Sequence, residues 1–123
     1  MNYICHKIIG VPYGKNKTRG KVDALPVWTQ AVTDQTKHLP KIKNACVLRV
    51  TFLLPPNKFP SDLPYGSDLD NLLKRFLDAL NETIFSETRG KDSCIISLSA
   101  TKTCAESEAE AGALLEVIPI ILG

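Results

Sequence analysis

Two aspartates, Asp68 and Asp70, stand where a proline-rich loop leads into an amphipathic segment. In an extended segment residues i and i+2 project to the same side, so the two carboxylates are expected to converge. Like charges held close together cost free energy unless cations neutralise them, which makes the pair a candidate site for divalent metal ions. Helix capping explains the same residues, because an Asp at a helix start accepts hydrogen bonds from first-turn amides.

Lys74 follows Asp70 by four residues, and Asp78 follows Lys74 by another four. On a helix this spacing places all three on one polar face. A lysine beside metal-binding carboxylates could stabilise charge on a phosphate under attack or help orient the attacking water. A ladder of i,i+4 ion pairs explains the spacing equally well and is worth only about 0.2–0.5 kcal/mol per pair. The spacing leaves both interpretations open.

The elements that must position these residues follow from hydrophobic periodicity. Apolar side chains at helical spacing predict a helix over residues 70–81 and another short one around Trp28, over residues 27–39. Period-two alternation predicts strands over residues 45–54 and 92–103, and apolar runs predict strands over residues 3–9 and 113–122. The last of these is expected at a sheet edge because Pro119 cannot donate to a ladder. We expect a single α+β domain over residues 1–123, with a mixed sheet packed by two main helices.

The net charge of +2 conceals an asymmetry along the chain. Residues 1–60 carry ten basic and two acidic side chains, whereas residues 61–123 carry five basic and eleven acidic ones. This division suggests a half that binds a polyanion beside a half that binds cations, although two solvated faces of different charge would look the same. Within the first half, turn residues alternate with cations in a predicted flexible basic loop suited to phosphate contacts, formed around Lys15, Lys17, Arg19 and Lys21.

Length and cysteine usage narrow the class of protein. At 123 residues the chain has room for one modest core, so a groove wide enough for duplex DNA is expected to need a second copy in a homodimer. The N-terminus lacks signal-peptide features and no apolar run reaches about 18 residues, so we expect a cytoplasmic protein.

The cysteine spacing matches neither a zinc ribbon nor a CxxC pair, which predicts buried, reduced thiols at Cys5, Cys46, Cys94 and Cys104.

The segment from Gly66 to Asn81, with Asp92 and Lys102 downstream, resembles the RusA-type Holliday junction resolvases. The pattern of that family is an Asp-x-Asp-Asn-x-x-Lys-x-x-x-Asp-x-Leu core, a downstream Asp or Asp pair, and a later Lys. Each core element is present at the expected spacing, and the order of the N-terminal elements is similar, so the resemblance covers roughly the whole chain. One departure is Lys91, which stands where many members have a second acid beside Asp92.

The resemblance implies a homodimeric, Mg²⁺-dependent endonuclease of DNA recombination and repair, with Mn²⁺ as an alternative ion. Such an enzyme binds branched DNA and hydrolyses phosphodiester bonds symmetrically across a four-way junction. By motif position, the metal-binding carboxylates would be Asp68, Asp70 and Asp92, the catalytic lysine Lys74, and the supporting residues Asn71 and Asp78.

Lys102 requires a separate interpretation, because a straight strand would carry it on the order of 30 Å from Asp92. We expect it to contact a DNA phosphate away from the metals, with a plain surface lysine as the alternative. Two further readings of the whole chain stay open. One is a branched-DNA-binding accessory protein of the same fold that is inactive or weakly active, and the other is a small interaction module in which Asp68 and Asp70 only cap a helix.

Overall fold

A computed structural model describes residues 3–15 and 23–121. It contains four strands and two α-helices, in the order β1 Ile4–Ile9, α1 Ala24–Thr36, β2 Cys46–Leu54, α2 Leu69–Leu80, β3 Ile95–Cys104 and β4 Gly112–Pro119. Three short 3-10 turns lie at Pro56–Lys58, Lys91–Cys94 and Glu108–Glu110. The α+β class, with a mixed sheet and two helices, is confirmed. Within the described residues no helix has the length and apolar character that crossing a membrane requires.

The strands form one sheet in the order β1-β4-β2-β3, with β2 and β3 parallel and the other neighbours antiparallel. The expectation that the last strand lies at an edge is wrong, because β4 pairs with β1 on one side and β2 on the other. Pro119 is tolerated there because it is the final residue of the strand, opposite Cys46, where a missing amide proton interrupts little of the ladder. The edges of the sheet are β1 and β3.

β2 has the alternation that its sequence predicts, with every second residue from Cys46 to Leu54 buried. In β3 the alternation is broken by a bulge, because Cys46 pairs with Ile95 and Val47 pairs with Ser97. Ile96 is the extra residue, and it is exposed. The alternation of Cys94, Ile96, Leu98 and Ala100 predicts one apolar face. This prediction is wrong at the start of the strand, since a bulge exchanges the two faces of a strand.

α2 runs antiparallel to the strands beside it, because it connects the parallel neighbours β2 and β3 and must return the chain to the start of the sheet. It buries Leu72, Phe76 and Leu80. The Phe76 ring meets Phe52 of β2 edge-to-face at 5.4 Å and stacks on Trp28 of α1 at 6.3 Å. One aromatic cluster thus joins the sheet and both helices.

Candidate functional site

Asp68 and Asp70 lie at the N-terminal end of α2, and both are exposed. The backbone carbonyl of Asp68 accepts the first helical hydrogen bond from Leu72 N at 3.1 Å, but within the described residues its carboxylate makes no capping hydrogen bond. Among the described residues, the Asp70 carboxylate accepts one hydrogen bond, from the adjacent Asn71 amide at 3.0 Å. The Asp68 side chain therefore does not perform the capping role that the sequence left open.

The helix begins at Leu69. The predicted convergence of the two carboxylates required the chain to stay extended through Asp70. Asp68 is extended, whereas Asp70 is already in the first turn, and residues two apart on a helix do not face each other. The sequence-based reason for convergent carboxylates is thus wrong, because the chain changes conformation between them. The two carboxylates instead stand around one helix end, where the helix dipole favours negative charge.

Lys74 is exposed one turn after Asp70, and Asp78 is exposed one turn after that. Of the salt bridges among the described residues, none joins Lys74 to either aspartate within 4.0 Å. The ion-pair ladder that could have explained the spacing is not formed. The Lys74 ammonium is therefore available to an anion that approaches the Asp70 end of the helix.

Lys102 lies beside Ser67, the residue before Asp68. Its ammonium donates a hydrogen bond to the backbone carbonyl of Ser67 at 2.8 Å. The order of the strands explains this contact, because α2 runs antiparallel to β3 and so the end of β3 lies near the start of the helix. Lys102 thereby ties the segment before Asp68 to the sheet and adds a positive charge to this end of the molecule.

Asp92 lies at the opposite end of α2. Asn81, the residue after the helix, holds it with two hydrogen bonds of 3.0 Å, one from Asn81 Nδ2 to Asp92 Oδ2 and one from the Asp92 amide to Asn81 Oδ1. The twelve residues of α2 separate this pair from the Asp68 end, a length of about 18 Å at 1.5 Å per residue. Within residues 3–15 and 23–121, no three His, Cys, Asp or Glu side chains form a group that could hold one metal ion. One chain therefore does not bring Asp92 to Asp68 and Asp70.

The start of the predicted basic loop packs against the first turn of α2. A Cβ on Gly14 would lie 2.8 Å from the Leu72 amide nitrogen and 2.9 Å from the Asn71 carbonyl carbon, so only glycine allows this approach. Arg75 Nε also donates to the Gly14 carbonyl at 3.4 Å. The exposed Lys15 follows directly, which positions it near the aspartates. The other predicted basic-loop residues, Lys17, Arg19 and Lys21, lie outside the described part of the chain.

A groove of about 330 Å³ runs beside this end of the molecule, between the exit of β1 and the proline-rich loop. Its lining includes two lysines, Lys15 and Lys58, and also Ser67, the residue before Asp68. Neither lysine takes part in a salt bridge among the described residues. The groove therefore offers two cations to a polyanion.

Sequence reasoning missed three contributors to this arrangement, Asn81, Gly14 and Lys58. Asn81 carried a signal, because an Asn after a helical pattern indicates a C-cap, but nothing local indicates that its side chain holds Asp92. Gly14 looked like one more turn residue in a basic loop. Its role depends on a helix more than fifty positions away in the chain.

The four cysteines are free, but only Cys46 is fully buried. The expectation of buried thiols is wrong for Cys5 and Cys104, which are exposed on strands. The Cys46 and Cys94 sulfurs lie 3.9 Å apart. Burial, together with the neighbouring Cys94 thiol, raises the pKa of Cys46 to about 12, and burial also raises the pKa of Cys94. These two thiols therefore remain protonated and unreactive at neutral pH.

Neither a protein-family model nor a curated protein matches the chain. The function is therefore inferred from the motif residues and from the geometry around α2.

Proposed function

We propose that the protein is a metal-dependent, structure-selective endonuclease that resolves branched DNA such as four-way junctions during recombination and repair, as a cytoplasmic homodimer. The observation that carries the proposal is the end of α2, where cations from three separate parts of the chain lie near two exposed carboxylates without forming a salt bridge to them among the described residues. Lys15 follows β1, Lys74 belongs to α2 and Lys102 belongs to β3. If the aspartates only capped the helix, no lysines from other parts of the chain would be needed near them.

The carboxylates fit Mg²⁺, which is commonly held by one or two carboxylates together with water and phosphate oxygens. Asp68 and Asp70 form no salt bridge within 4.0 Å among the described residues, so their charge is not already neutralised by direct pairing. The ion would supply a water of lowered pKa and Lewis-acid polarisation of the phosphate. The chain itself supplies Lys74, whose ammonium acts as a compact positive charge opposite the developing phosphorane charge.

The basic groove supports DNA as the substrate. Lys15 and Lys58 contact no acidic side chain among the described residues, so phosphates can replace their counterions. Contacts of this kind add affinity without reading base sequence, which suits a protein that recognises the shape of a junction. Ser67, the residue before Asp68, lines the groove, so a phosphate backbone bound in the groove would lie next to the segment that carries the carboxylates.

The test is cleavage of a synthetic four-way junction labelled on each strand, with Mg²⁺ and with EDTA. We expect paired nicks that require the ion, and a loss of more than about 100-fold in rate for Asp70→Asn. Glu106→Gln is the matched control, because it removes an exposed carboxylate that makes no described contact, and it should cut like the unaltered protein. Equal cutting by both variants would contradict the assignment of Asp70.

A second candidate function is a branched-DNA-binding accessory protein that does not cut. The observation that favours it is the isolation of Asp92, which lies at the far end of α2 and is preceded by the exposed Lys91 and not by a second acid. Tight binding of the junction without nicks, in Mg²⁺ or Mn²⁺, would support this function over the first. Absence of binding would exclude both.

A further inference from the structure

The proline-rich loop between β2 and α2, residues 55–66, presents large apolar side chains to solvent. Leu63 is exposed at 78% and Tyr65, two residues later, at 42%. Single exposed apolar residues are ordinary on a protein surface, but a group of them on one short loop is a candidate contact surface. The loop carries this surface beside the groove that Lys15 and Lys58 line.

The backbone of the loop is held in a closed form. The Lys58 amide donates to the Pro55 carbonyl at 2.8 Å, and the Gly66 amide donates to the Pro64 carbonyl at 2.9 Å. A Cβ on Gly66, whose φ is +81°, would lie 2.5 Å from the Lys58 carbonyl oxygen, so the end of the loop approaches its beginning as only glycine allows. Because four prolines also restrict the chain, a ligand that contacts the loop orders little that is not already ordered.

Phe59 and Tyr65 form a stacked pair within the loop. Their ring centroids are 6.1 Å apart, with an interplanar angle of 29°. Phe59 is half-buried and packs against the hydrophobic core, whereas Tyr65 lies against Phe59 and stays exposed. Internal packing explains Phe59, but it does not explain an aromatic ring left open to solvent on a rigid support. This arrangement suits a platform on which another flat ring stacks.

The charges beside the platform favour a nucleic acid as its ligand. Lys58, Pro60, Pro64 and Gly66 line the groove, and they are the chain neighbours of Phe59 and Tyr65. Phosphates bound by Lys15 and Lys58 would therefore place the bases of the same strand near the Tyr65 ring. Bases inside a duplex are stacked on each other, but unpaired bases can leave the stack, and a basic groove with an aromatic platform is a common way to bind them.

We infer that Tyr65, supported by Phe59, stacks on an unpaired nucleobase of a DNA strand held in the basic groove, and that Leu63 packs against the bases exposed beside it. The presence of DNA rests on the proposed function, whereas the platform itself rests on the loop and the groove. Stacking on an aromatic ring tolerates every base, and apolar side chains such as leucine insert between base steps. The platform would thus distinguish a branched strand from a plain duplex without reading sequence.

The test compares binding of two labelled duplexes, one plain and one with three unpaired thymines at its centre. Anisotropy is measured with Ca²⁺ in place of Mg²⁺, and a denaturing gel checks that the strands stay intact. We expect the unaltered protein to bind the bulged duplex about 10-fold more tightly. Tyr65→Leu should reduce this ratio to about 1 without weakening plain-duplex binding, and Tyr65→Phe should keep it because the ring remains. Tyr3→Leu is the matched control, since Tyr3 is exposed at 51% on β1, and it should keep the full ratio.

Leu63→Ser tests the second contact of the loop. Since Leu63 is covered only when bases pack against it, we expect the ratio to fall by about 5-fold while plain-duplex binding stays unchanged. Val27→Ser is the matched control, because Val27 is exposed at 66% on α1, and it should not change the ratio. A ratio that Leu63→Ser leaves unchanged would overturn the role of Leu63.

The platform and the proposed endonuclease fail in different ways. Equal affinity of the unaltered protein for the two duplexes, or a ratio that Tyr65→Leu leaves unchanged, would overturn the platform even if four-way junctions are cut. A bulge preference that depends on Tyr65, without cutting of four-way junctions in Mg²⁺, would contradict the endonuclease while leaving the platform standing. Absence of binding to any of these DNAs would overturn both and would indicate a protein as the ligand of the loop.

Discussion

The Asn81 side chain is the part of the structure on which the position of Asp92 most directly depends. In Asn81→Ala, both hydrogen bonds of 3.0 Å to Asp92 are lost, one to its carboxylate and one to its amide. A bond to a charged group contributes about 1.5 kcal/mol and a neutral one about 1 kcal/mol, and water replaces part of each because both residues are half-buried. We expect the free energy of unfolding to fall by about 1–2 kcal/mol.

The assay is urea unfolding followed by circular dichroism at one fixed protein concentration, because association contributes to apparent stability. With a urea dependence of roughly 1.5 kcal/mol/M, the midpoint for Asn81→Ala should fall by about 1 M. Asn44→Ala is the matched control, since Asn44 is exposed and its side chain makes no hydrogen bond among the described residues. A midpoint for Asn81→Ala equal to that of Asn44→Ala would refute the reasoning.

Asn81→Asp separates geometry from charge. It keeps the oxygen that accepts the Asp92 amide proton, but it removes the Nδ2 donor and places a second negative charge against the Asp92 carboxylate. We expect a larger loss of stability than in Asn81→Ala at low ionic strength, with part of it recovered in about 0.5 M salt because the repulsion is screened. A loss that does not respond to salt would show that charge repulsion is not its cause.

Two further predictions concern the basic groove and the buried thiols. Lys15→Ala and Lys58→Ala should each weaken junction binding and lower the slope of log K against log salt by about 1, whereas the ion-paired Lys43→Ala should leave it unchanged. Cys46 should resist thiol reagents at pH 8 while exposed cysteines react. The raised pKa of Cys46 contributes stability that is fully present below about pH 9, the pKa in the unfolded chain, and that should be lost as the pH rises toward 12. Equal reactivity of all the thiols at pH 8, or a free energy of unfolding that stays constant between pH 9 and 12, would contradict the burial of Cys46.

The helix α2 and the strand β2 could be predicted from the sequence to within one residue at each end. Each has a strong hydrophobic period, and each buries one continuous face against a single partner layer, so the local pattern and the tertiary environment agree. The start of β3 could not be predicted in the same way. Its bulge at Ile96 depends on how the strand pairs with Cys46 and Val47, and the alternation of its own residues contains no sign of that pairing.

The residues of the candidate site also fall into a group that local sequence predicts and a group that it does not. The sequence by itself determined that Asp70, Lys74 and Asp78 share a helix face beside Asp68, because their spacing and the helix are both local properties. Only the tertiary structure decided where Asp92 and Lys102 lie. Parallel pairing of β2 and β3 forces α2 to run backwards between them, which brings Lys102 to Asp68 and carries Asp92 to the far end. Strand pairing joins residues distant in the chain, and no periodicity within a segment encodes its partner.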